Sequence, residues 1–273
     1  MPAVEGKVAI LTGASSGIGE GIAKELVAAG MIVAGLARRL ERVENLAKSL
    51  AGKKGKLIAV KCDVTSVDDV KRSFNWVEKN LGPPTVVINN AGVVKHHLIS
   101  SGDIDEIKTI YDTNVMGVTV CSQLAIKSMY RNNIEGTIIN INSVAGHSIL
   151  PFPTIASYSG SKHAVTAITE HLRNEAYHLG AKIRITSLSP GAVESEMTAG
   201  AKEEMGVSFD EDILPASDIA DCVLFILRAP QRLNISEMQV QYVNECTYSF
   251  AEKAVGRTTK EFIDGIKAAT KKQ

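Results

Sequence analysis

Short apolar runs alternate with longer amphipathic stretches along most of the chain. The apolar runs predict strands at residues 8–11, 32–36, 57–60, 86–88, 138–141 and 183–188, with a last strand near 238–243. The amphipathic stretches predict helices at about residues 17–29, 39–50, 67–80, 113–131 and 158–179. Because the apolar runs are nearly continuous Val, Ile and Leu, we expect the strands to be buried on both faces and parallel. The pattern therefore predicts a three-layer, doubly wound α/β sheet.

The same pattern predicts one domain over residues 1–243, because no linker rich in Pro, Gly or Ser interrupts it. Residues 191–214 depart from the alternation, and an irregular segment of this length in a compact domain is often a functional lid. Residues 244–273 are expected to form a C-terminal extension. Within it, Thr258-x-x-Glu261 reads as a capping box that opens a short helix.

Composition excludes several classes of protein. Among the 273 residues, 30 Lys and Arg balance 30 Asp and Glu, which argues against broad attraction to nucleic acid or an anionic membrane. The four cysteines form no CxxC pair, and no cysteine–histidine set has ligand spacing, so we expect free thiols and no metal site. The N-terminal segment resembles neither a signal peptide nor a membrane span, which predicts a cytoplasmic location.

A glycine-rich turn stands between the first predicted strand and the first helix. It reads TGASSGIG and contains Gly13, Ser15, Ser16, Gly17, Ile18 and Gly19. Glycines at this place let the backbone pass close to a diphosphate that faces a helix N-terminus. Taken alone, the motif is equally consistent with a tight strand-to-helix turn.

Further motifs follow in order along the chain. They are Asp63-Val64 after the third strand, Asn89-Asn90-Ala91-Gly92 after the fourth, Asn114, Ser143 after the fifth, Tyr158-x-x-x-Lys162, and Pro190-Gly191 after the sixth. Over about residues 5–243 this set resembles the classical branch of the short-chain dehydrogenase/reductase family, and especially its insect farnesol dehydrogenase-type and vertebrate steroid-reducing members. The resemblance implies a Rossmann-type fold, a nicotinamide cofactor and assembly into a homodimer or homotetramer.

Tyr158 and Lys162 are four residues apart, so on a helix their side chains share one face. A neighbouring ammonium is expected to lower the pKa of the phenol and make Tyr158 a usable base. The resemblance implies that Tyr158 transfers the proton, that Ser143 hydrogen-bonds the substrate oxygen, that Lys162 also holds the nicotinamide ribose, and that Asn114 anchors a relay water. An exposed helical pair and an ordinary loop hydroxyl are the alternatives.

Cofactor preference depends on the end of the second strand, where NAD-selective relatives carry an acidic residue. Here the chain reads Ala37-Arg38-Arg39, and Arg38 can pair with the extra phosphate of NADP. Alternatively, Arg38 and Arg39 begin a solvated helix. For Asp63, the alternative is that its carboxylate caps the segment that follows Asp63. The expected cofactor contacts also include Asp63, Val64, Asn90, Ala91, Gly92, Pro190, Gly191 and Val193.

The substrate side is apolar in sequence. Phe152 and Met197, with Pro151, Pro153 and Val193, would form a wall suited to a bulky lipid alcohol or ketone, although each is equally consistent with core packing. We therefore expect an NADP-dependent oxidoreductase that interconverts a hydrophobic alcohol, such as farnesol, and its carbonyl. A steroid or other lipid carbonyl reductase and a non-catalytic NADP-binding redox sensor are the alternatives.

Overall fold

One parallel sheet forms the centre of the molecule. The computed structural model describes residues 4–150, 152–205, 213–243 and 245, and within them the sheet has seven strands. They are β1 (Val8–Thr12), β2 (Ile32–Ala37), β3 (Lys56–Lys61), β4 (Val86–Asn89), β5 (Thr137–Ile141), β6 (Arg184–Pro190) and β7 (Glu237–Val240). Their order is β3-β2-β1-β4-β5-β6-β7, and all neighbours are parallel. The predicted doubly wound α/β fold is confirmed.

Helices cover both faces of this sheet. They are α1 (Gly17–Ala28), α2 (Leu40–Ser49), α3 (Val67–Leu81), α4 (Ile104–Tyr111), α5 (Val118–Arg131), α6 (Ala156–His178), α7 (Glu196–Met205) and α8 (Ala216–Arg228). Residues of β1 alternate between two apolar cores, with Ala9 and Leu11 facing α1, α2 and α8 and with Val8 and Ile10 facing α3, α5 and α6. Burial on both faces explains why the strands read as unbroken apolar runs.

Four elements differ from the sequence prediction. The helix expected at 113–131 is preceded by α4, and a π-helical turn, Asp112–Gly117, joins α4 to α5. The segment expected to be irregular contains α7, and α8 was not predicted. The apolar residues Ile219, Val223 and Ile226 of α8 follow helical spacing and are buried, so that signal was present in the sequence. The predicted C-terminal helix lies outside the described residues.

Arg184, at the start of β6, is buried against the end of α8. Its guanidinium donates to the carbonyl oxygens of Ile226 at 3.0 Å, Ala229 at 2.9 Å and Leu227 at 3.3 Å, and to Thr137 Oγ1 at 2.8 Å. The last carbonyls of a helix lack intrahelical donors, and a cation there also complements the helix dipole. Arg184 therefore fastens α8 to the sheet.

No helix in the described part of the chain is both long enough and apolar enough to span a membrane.

Candidate active site

The turn between β1 and α1 requires glycine at two positions. Gly13 has a φ of +70°, and a Cβ there would lie 2.8 Å from Asn90 Nδ2 and 2.9 Å from the Cα of Ala91. A Cβ on Gly19 would lie 2.2 Å from the carbonyl oxygen of Gly13. These clashes explain the glycines, since any larger residue would push the turn away from β4.

Polar contacts tie the same turn to the end of β4. Thr12 Oγ1 accepts the backbone N–H groups of Asn90 and Ala91, both at 3.0 Å. The side-chain amide of Asn90 donates back to the carbonyl oxygens of Thr12 at 3.0 Å and Gly13 at 3.2 Å. The carboxyl ends of β1 and β4 are thereby held together at the point where the strand order reverses, which is where open α/β sheets bind ligands.

A cavity of about 440 Å³ opens at this point. Most of the residues predicted to bind the cofactor line it, namely Gly13, Ser15, Ser16, Gly17, Ile18, Gly19, Arg38, Arg39, Asp63, Val64, Asn90, Ala91, Gly92, Tyr158 and Lys162. The cavity runs from two guanidinium groups, past a backbone cradle that a Cβ would fill, to a phenol and an ammonium. This order of groups fits a nicotinamide dinucleotide, whose phosphates need the cradle and the cations.

Three residues predicted to contact the cofactor, Pro190, Gly191 and Val193, do not line this cavity. The carboxylate of Glu245 occupies the space beside Gly191 and accepts the backbone N–H of Ala192 at 3.2 Å. Val193 is buried in the core between the sheet and helices α1 and α8, and its backbone forms a parallel β-bridge with Leu214. The side of the segment that faces the cavity is formed instead by Ser195, Glu196 and Met197.

Tyr158 lies near the start of α6, beside the turn that follows β5. The Ser143 side chain hydrogen-bonds to its phenol, and Ser143 Oγ also accepts the backbone N–H of Ala145 at 3.1 Å. Desolvation raises the pKa of the Tyr158 phenol, and the bond to Ser143 opposes that rise. Ser143 and Tyr158 are therefore neighbours, as two groups that bind one substrate oxygen must be.

Lys162 is buried one helical turn further along α6. Its Nζ donates to the carbonyl oxygen of Ile141 at 3.0 Å and lies 5.7 Å from the centre of the Tyr158 ring. Burial lowers the pKa of this ammonium to about 8. The expected lowering of the Tyr158 pKa is wrong for this structure, because desolvation of the phenol outweighs a cation that is directed towards Ile141.

Asn114 lies in the π-helical turn between α4 and α5. Its Oδ1 accepts the N–H of Val93 at 2.8 Å, while its Nδ2 donates to the Val93 carbonyl at 2.9 Å and to Ser161 Oγ at 3.0 Å. Both amide protons are thus used within the protein. The side chain joins the loop after β4 to α6 and holds Gly92 near Lys162, since a Cβ on Gly92 would lie 4.0 Å from Lys162 Nζ.

The two arginines after β2 differ in their contacts. Arg38 is exposed and lines the cavity. Arg39 reaches the glycine-rich turn, where its Nη2 donates to Ser16 Oγ at 2.8 Å and to Ser15 Oγ at 3.3 Å. The sequence favoured Arg38 over Arg39 as the phosphate ligand, but it is Arg39 that touches the turn.

Asp63 has a local structural partner in addition to its place on the cavity wall. Its Oδ1 accepts the backbone N–H of Thr65 at 3.0 Å and the hydroxyl of the same residue at 2.8 Å. This is the capping role that the sequence left open as an alternative, and Ser66 completes it as the N-cap of α3.

An apolar cluster borders the Tyr158 end of the cavity. Phe152, Ile155 and Ala192 are buried there, and Tyr158, Val94, Leu150 and Ile213 pack against them. Met197 lines the cavity itself, whereas Val193 belongs to the main core. Pro151 lies outside the described residues.

The sequence favours a water-facing position for Glu194 and Glu196, but Glu196 lines the mouth of this cavity. Its carboxylate is 2.9 Å from Arg39 Nη1 and also pairs with Arg42. The acidic character of residues 191–214 was visible in the sequence, but which carboxylate faces inward was not. In the described part of the chain, no group of three or more His, Cys, Asp or Glu side chains could hold a metal ion.

Comparisons with known proteins agree with this geometry. The model of a protein family described as short chain dehydrogenase matches residues 7–206. A farnesol dehydrogenase of Aedes aegypti is 45% identical over 242 residues, which cover 88% of this chain and 97% of that protein. Dehydrogenase/reductase SDR family member 11 of Gallus gallus is 39% identical over 244 residues, 86% of this chain and 96% of that one.

Solved structures share the fold. A short-chain type dehydrogenase/reductase from Mycobacterium marinum has a TM-score of 0.81 at 28% identity, over 89% of this chain and 97% of that one. An alcohol dehydrogenase from Thermococcus sibiricus, complexed with 5-hydroxy-NADP, has a TM-score of 0.78 at 25% identity, over 88% of this chain and 98% of that one. With the family model covering most of the chain and relatives matching nearly end to end, the protein belongs to the short-chain dehydrogenase/reductase family of oxidoreductases, which bind a nicotinamide cofactor.

Proposed function

We propose that this protein is an NADP-dependent oxidoreductase that interconverts a hydrophobic alcohol and its aldehyde or ketone, with an isoprenoid such as farnesol as the substrate. The observation that carries this proposal is the position of Tyr158, which lines the dinucleotide cavity and also packs against the apolar cluster around Phe152. A reacting carbon at this junction would have the cofactor on one side and an apolar wall on the other.

Tyr158 acts as the acid in reduction and as the base in oxidation. The cofactor, when bound, accepts or supplies the hydride. With its pKa raised by desolvation, the Tyr158 phenol is protonated at neutral pH and is ready to donate to a carbonyl oxygen. Ser143 would exchange its hydrogen bond to the phenol for one to the same substrate oxygen, donate its single hydroxyl proton there and stabilise the charge that develops.

Lys162 and Asn114 support Tyr158 and Ser143 by binding the cofactor and by positioning the backbone around it. One N–H of the Lys162 ammonium is used by Ile141, which leaves two donors for the ribose hydroxyls of the cofactor. Asn114 keeps Gly92 and Lys162 close to each other through its bonds to Val93 and Ser161, so it acts as a positioning residue.

Preference for NADP is supported by charge at the end of β2. The buried Ala37 supplies no carboxylate that would repel a phosphate, and the exposed guanidinium groups of Arg38 and Arg39 follow it. Arginine pairs with phosphate oxygens through two N–H groups and stacks on planar rings, which suits the adenosine 2′-phosphate. An Arg38→Asp variant should therefore weaken NADP binding strongly and spare NAD binding, whereas equal loss of both would contradict the assignment.

The apolar substrate class has two supports. The cluster of Phe152, Ile155 and Ala192 offers no charged group to an anionic substrate. In addition, the relative that is 45% identical to this chain is a farnesol dehydrogenase.

We also propose a homo-oligomer. Met116 of the π-helical turn, Tyr130 of α5 and Tyr177 of α6 are large apolar or aromatic side chains exposed by 50%, 57% and 81%. Light scattering of the purified full-length chain should give the mass of a dimer or tetramer, and a monomer at micromolar concentration would contradict this proposal.

The test of function is initial-rate turnover of the purified protein with NADP⁺ and with NAD⁺. Farnesol, geraniol, retinol and a hydroxysteroid are the substrates, nicotinamide absorbance is the signal, and Tyr158→Phe is the blank. Turnover concentrated on the isoprenoids with NADP⁺ is the expected result. Turnover of the steroid alone would instead favour a steroid dehydrogenase. Tight cofactor binding without turnover of any alcohol or matching carbonyl would favour a redox sensor.

A further inference from the structure

The carboxylate of Glu196 lies between two guanidinium groups at the mouth of the dinucleotide cavity. One oxygen is 2.9 Å from Arg39 Nη1, and the other pairs with Arg42 Nη1. The second terminal nitrogen of Arg39 donates at the same time to Ser16 Oγ at 2.8 Å. The Glu196 carboxylate therefore already pairs with the two arginines that lie next to the glycine-rich turn.

The starts of two helices bring Arg39, Arg42 and Glu196 together. Arg39 is the N-cap of α2 and Arg42 follows three residues later, so both side chains lie on one face of that helix. Glu196 is the first residue of α7. The residue before it, Ser195, packs on the turn, because a Cβ built on Gly17 would lie 3.0 Å from Ser195 Cβ.

Hydrogen bonds around the start of α7 hold Glu196 at this position. The backbone N–H of Ser195 donates to Thr198 Oγ1 at 3.0 Å, and that hydroxyl donates to the carbonyl oxygen of Val193 at 2.9 Å. The bonds from Arg42 and Arg39 lower the pKa of Glu196 below its usual range, so the group is a carboxylate at neutral pH. The contact between Glu196 and the two arginines therefore depends on the backbone positions of α7 and α2 as well as on the length of the side chains.

We propose that Glu196 is a cofactor-specificity residue, an internal anion that competes with the 2′-phosphate of NADP for Arg39 and Arg42. The inference rests on the proposed NADP preference and adds Glu196 and Arg42 to the residues that set it. A bound 2′-phosphate must either displace the carboxylate from Arg39 or lie beside it at a repulsive distance. Both outcomes weaken the binding of NADP, and neither affects NAD, which lacks that phosphate.

Binding of adenosine fragments isolates this competition from catalysis. Isothermal titration of 2′,5′-ADP and of 5′-AMP, followed by NADP⁺ and NAD⁺, is performed on wild type, Glu196→Gln and the control Glu194→Gln. Glu194 is exposed in the same segment, two residues earlier. Glutamine keeps the size of the side chain and removes only its charge.

In Glu196→Gln we expect 2′,5′-ADP and NADP⁺ to bind about three- to tenfold more tightly, a range set by the modest strength of exposed ion pairs. The affinities for 5′-AMP and NAD⁺ should change by less than about twofold, and Glu194→Gln should resemble wild type. Because the groups are exposed, the gain should shrink as salt is raised from about 0.05 to 0.5 M.

Unchanged or weaker 2′,5′-ADP binding in Glu196→Gln, in a protein that prefers NADP⁺, would overturn the competition and leave the proposed function standing. Equal tightening of all four ligands would also overturn it, since that result indicates a general change in the segment. If neither wild type nor Glu196→Gln binds 2′,5′-ADP better than 5′-AMP, the NADP assignment and this inference fail together. A preference that emerges only in Glu196→Gln would support the competition.

Discussion

The ammonium nitrogen of Lys162 lies 5.7 Å from the centre of the Tyr158 ring and donates its hydrogen bond to Ile141, at 3.0 Å, and not to the phenol. Burial therefore acts on the two groups separately. It raises the pKa of Tyr158 and lowers that of Lys162 to about 8. At neutral pH the site therefore holds a neutral phenol next to an ammonium that can still bind the cofactor.

The affinity of the protein for NADP⁺ should depend on pH through Lys162. Because the Lys162 pKa is about 8, its ammonium is present below that pH and is lost as the pH rises through it. Loss of the charge and of one N–H donor should raise the Kd of NADP⁺ above pH 8, by at most about tenfold per pH unit. Fluorescence titration from pH 6.5 to 9.5 measures this, and Lys162→Met should show no such rise. The same rise in wild type and in a folded Lys162→Met would contradict the assignment.

The second prediction concerns the phenol of Tyr158. Tyr158→Phe removes only the hydroxyl, and loss of a positioned acid or base costs roughly 10²- to 10⁴-fold in turnover. The Kd of NADP⁺ should stay within about twofold, because cofactor binding depends on many other groups along the cavity. Tyr177→Phe is the matched control, since Tyr177 lies on the same helix α6 and is 81% exposed. Turnover of Tyr158→Phe equal to that of the control would exclude the proposed role.

A third prediction separates backbone strain from steric clash at the glycine-rich turn. Gly13 and Gly52 both have positive φ, +70° and +83°, but only Gly13 has heavy atoms within 3.0 Å of a built Cβ. Gly13→Ala should therefore weaken NADP⁺ binding at least tenfold and lower the free energy of unfolding by about 2–4 kcal/mol. Gly52→Ala should cost about 1 kcal/mol and leave binding unchanged. Calorimetry and chemical unfolding measure both, and equal effects would argue against a tight approach to Asn90 and Ala91.

The fourth prediction concerns stability away from the site. Arg184→Ala leaves three carbonyl oxygens at the end of α8 without their donor, so we expect a loss of about 3–5 kcal/mol in the free energy of unfolding. Arg131→Ala breaks the pair with Glu78, in which the Arg131 side chain is 65% exposed, and should cost less than about 1 kcal/mol. Urea unfolding of both variants provides the comparison, and a small loss in Arg184→Ala would show that α8 is held by its apolar face alone.

Local sequence patterns were sufficient for most of the fold. The period of apolar residues predicted six strands within one or two residues of their observed ends, because parallel strands buried on both faces leave a clear signal. Helix α8 was missed although its apolar spacing was regular, and the π-helical turn around Asn114 was missed because no residue pattern specifies an i to i+5 hydrogen bond. Most of the chemical motifs from Gly13 to Lys162 line one cavity, although Asn114 and Ser143 are not among its lining residues.

Local sequence was enough to predict the alternation of strands and helices, the glycine-rich turn and the shared helical face of Tyr158 and Lys162. All of these follow from the period and the backbone angles of neighbouring residues, which the chain encodes locally. Three contacts became visible only in the folded chain: Glu196 pairs with Arg42, 154 positions away, Glu245 covers Gly191, and Lys162 donates to Ile141. Those contacts depend on how separate layers pack, and a long charged side chain carries no local mark of the partner it will meet across the fold.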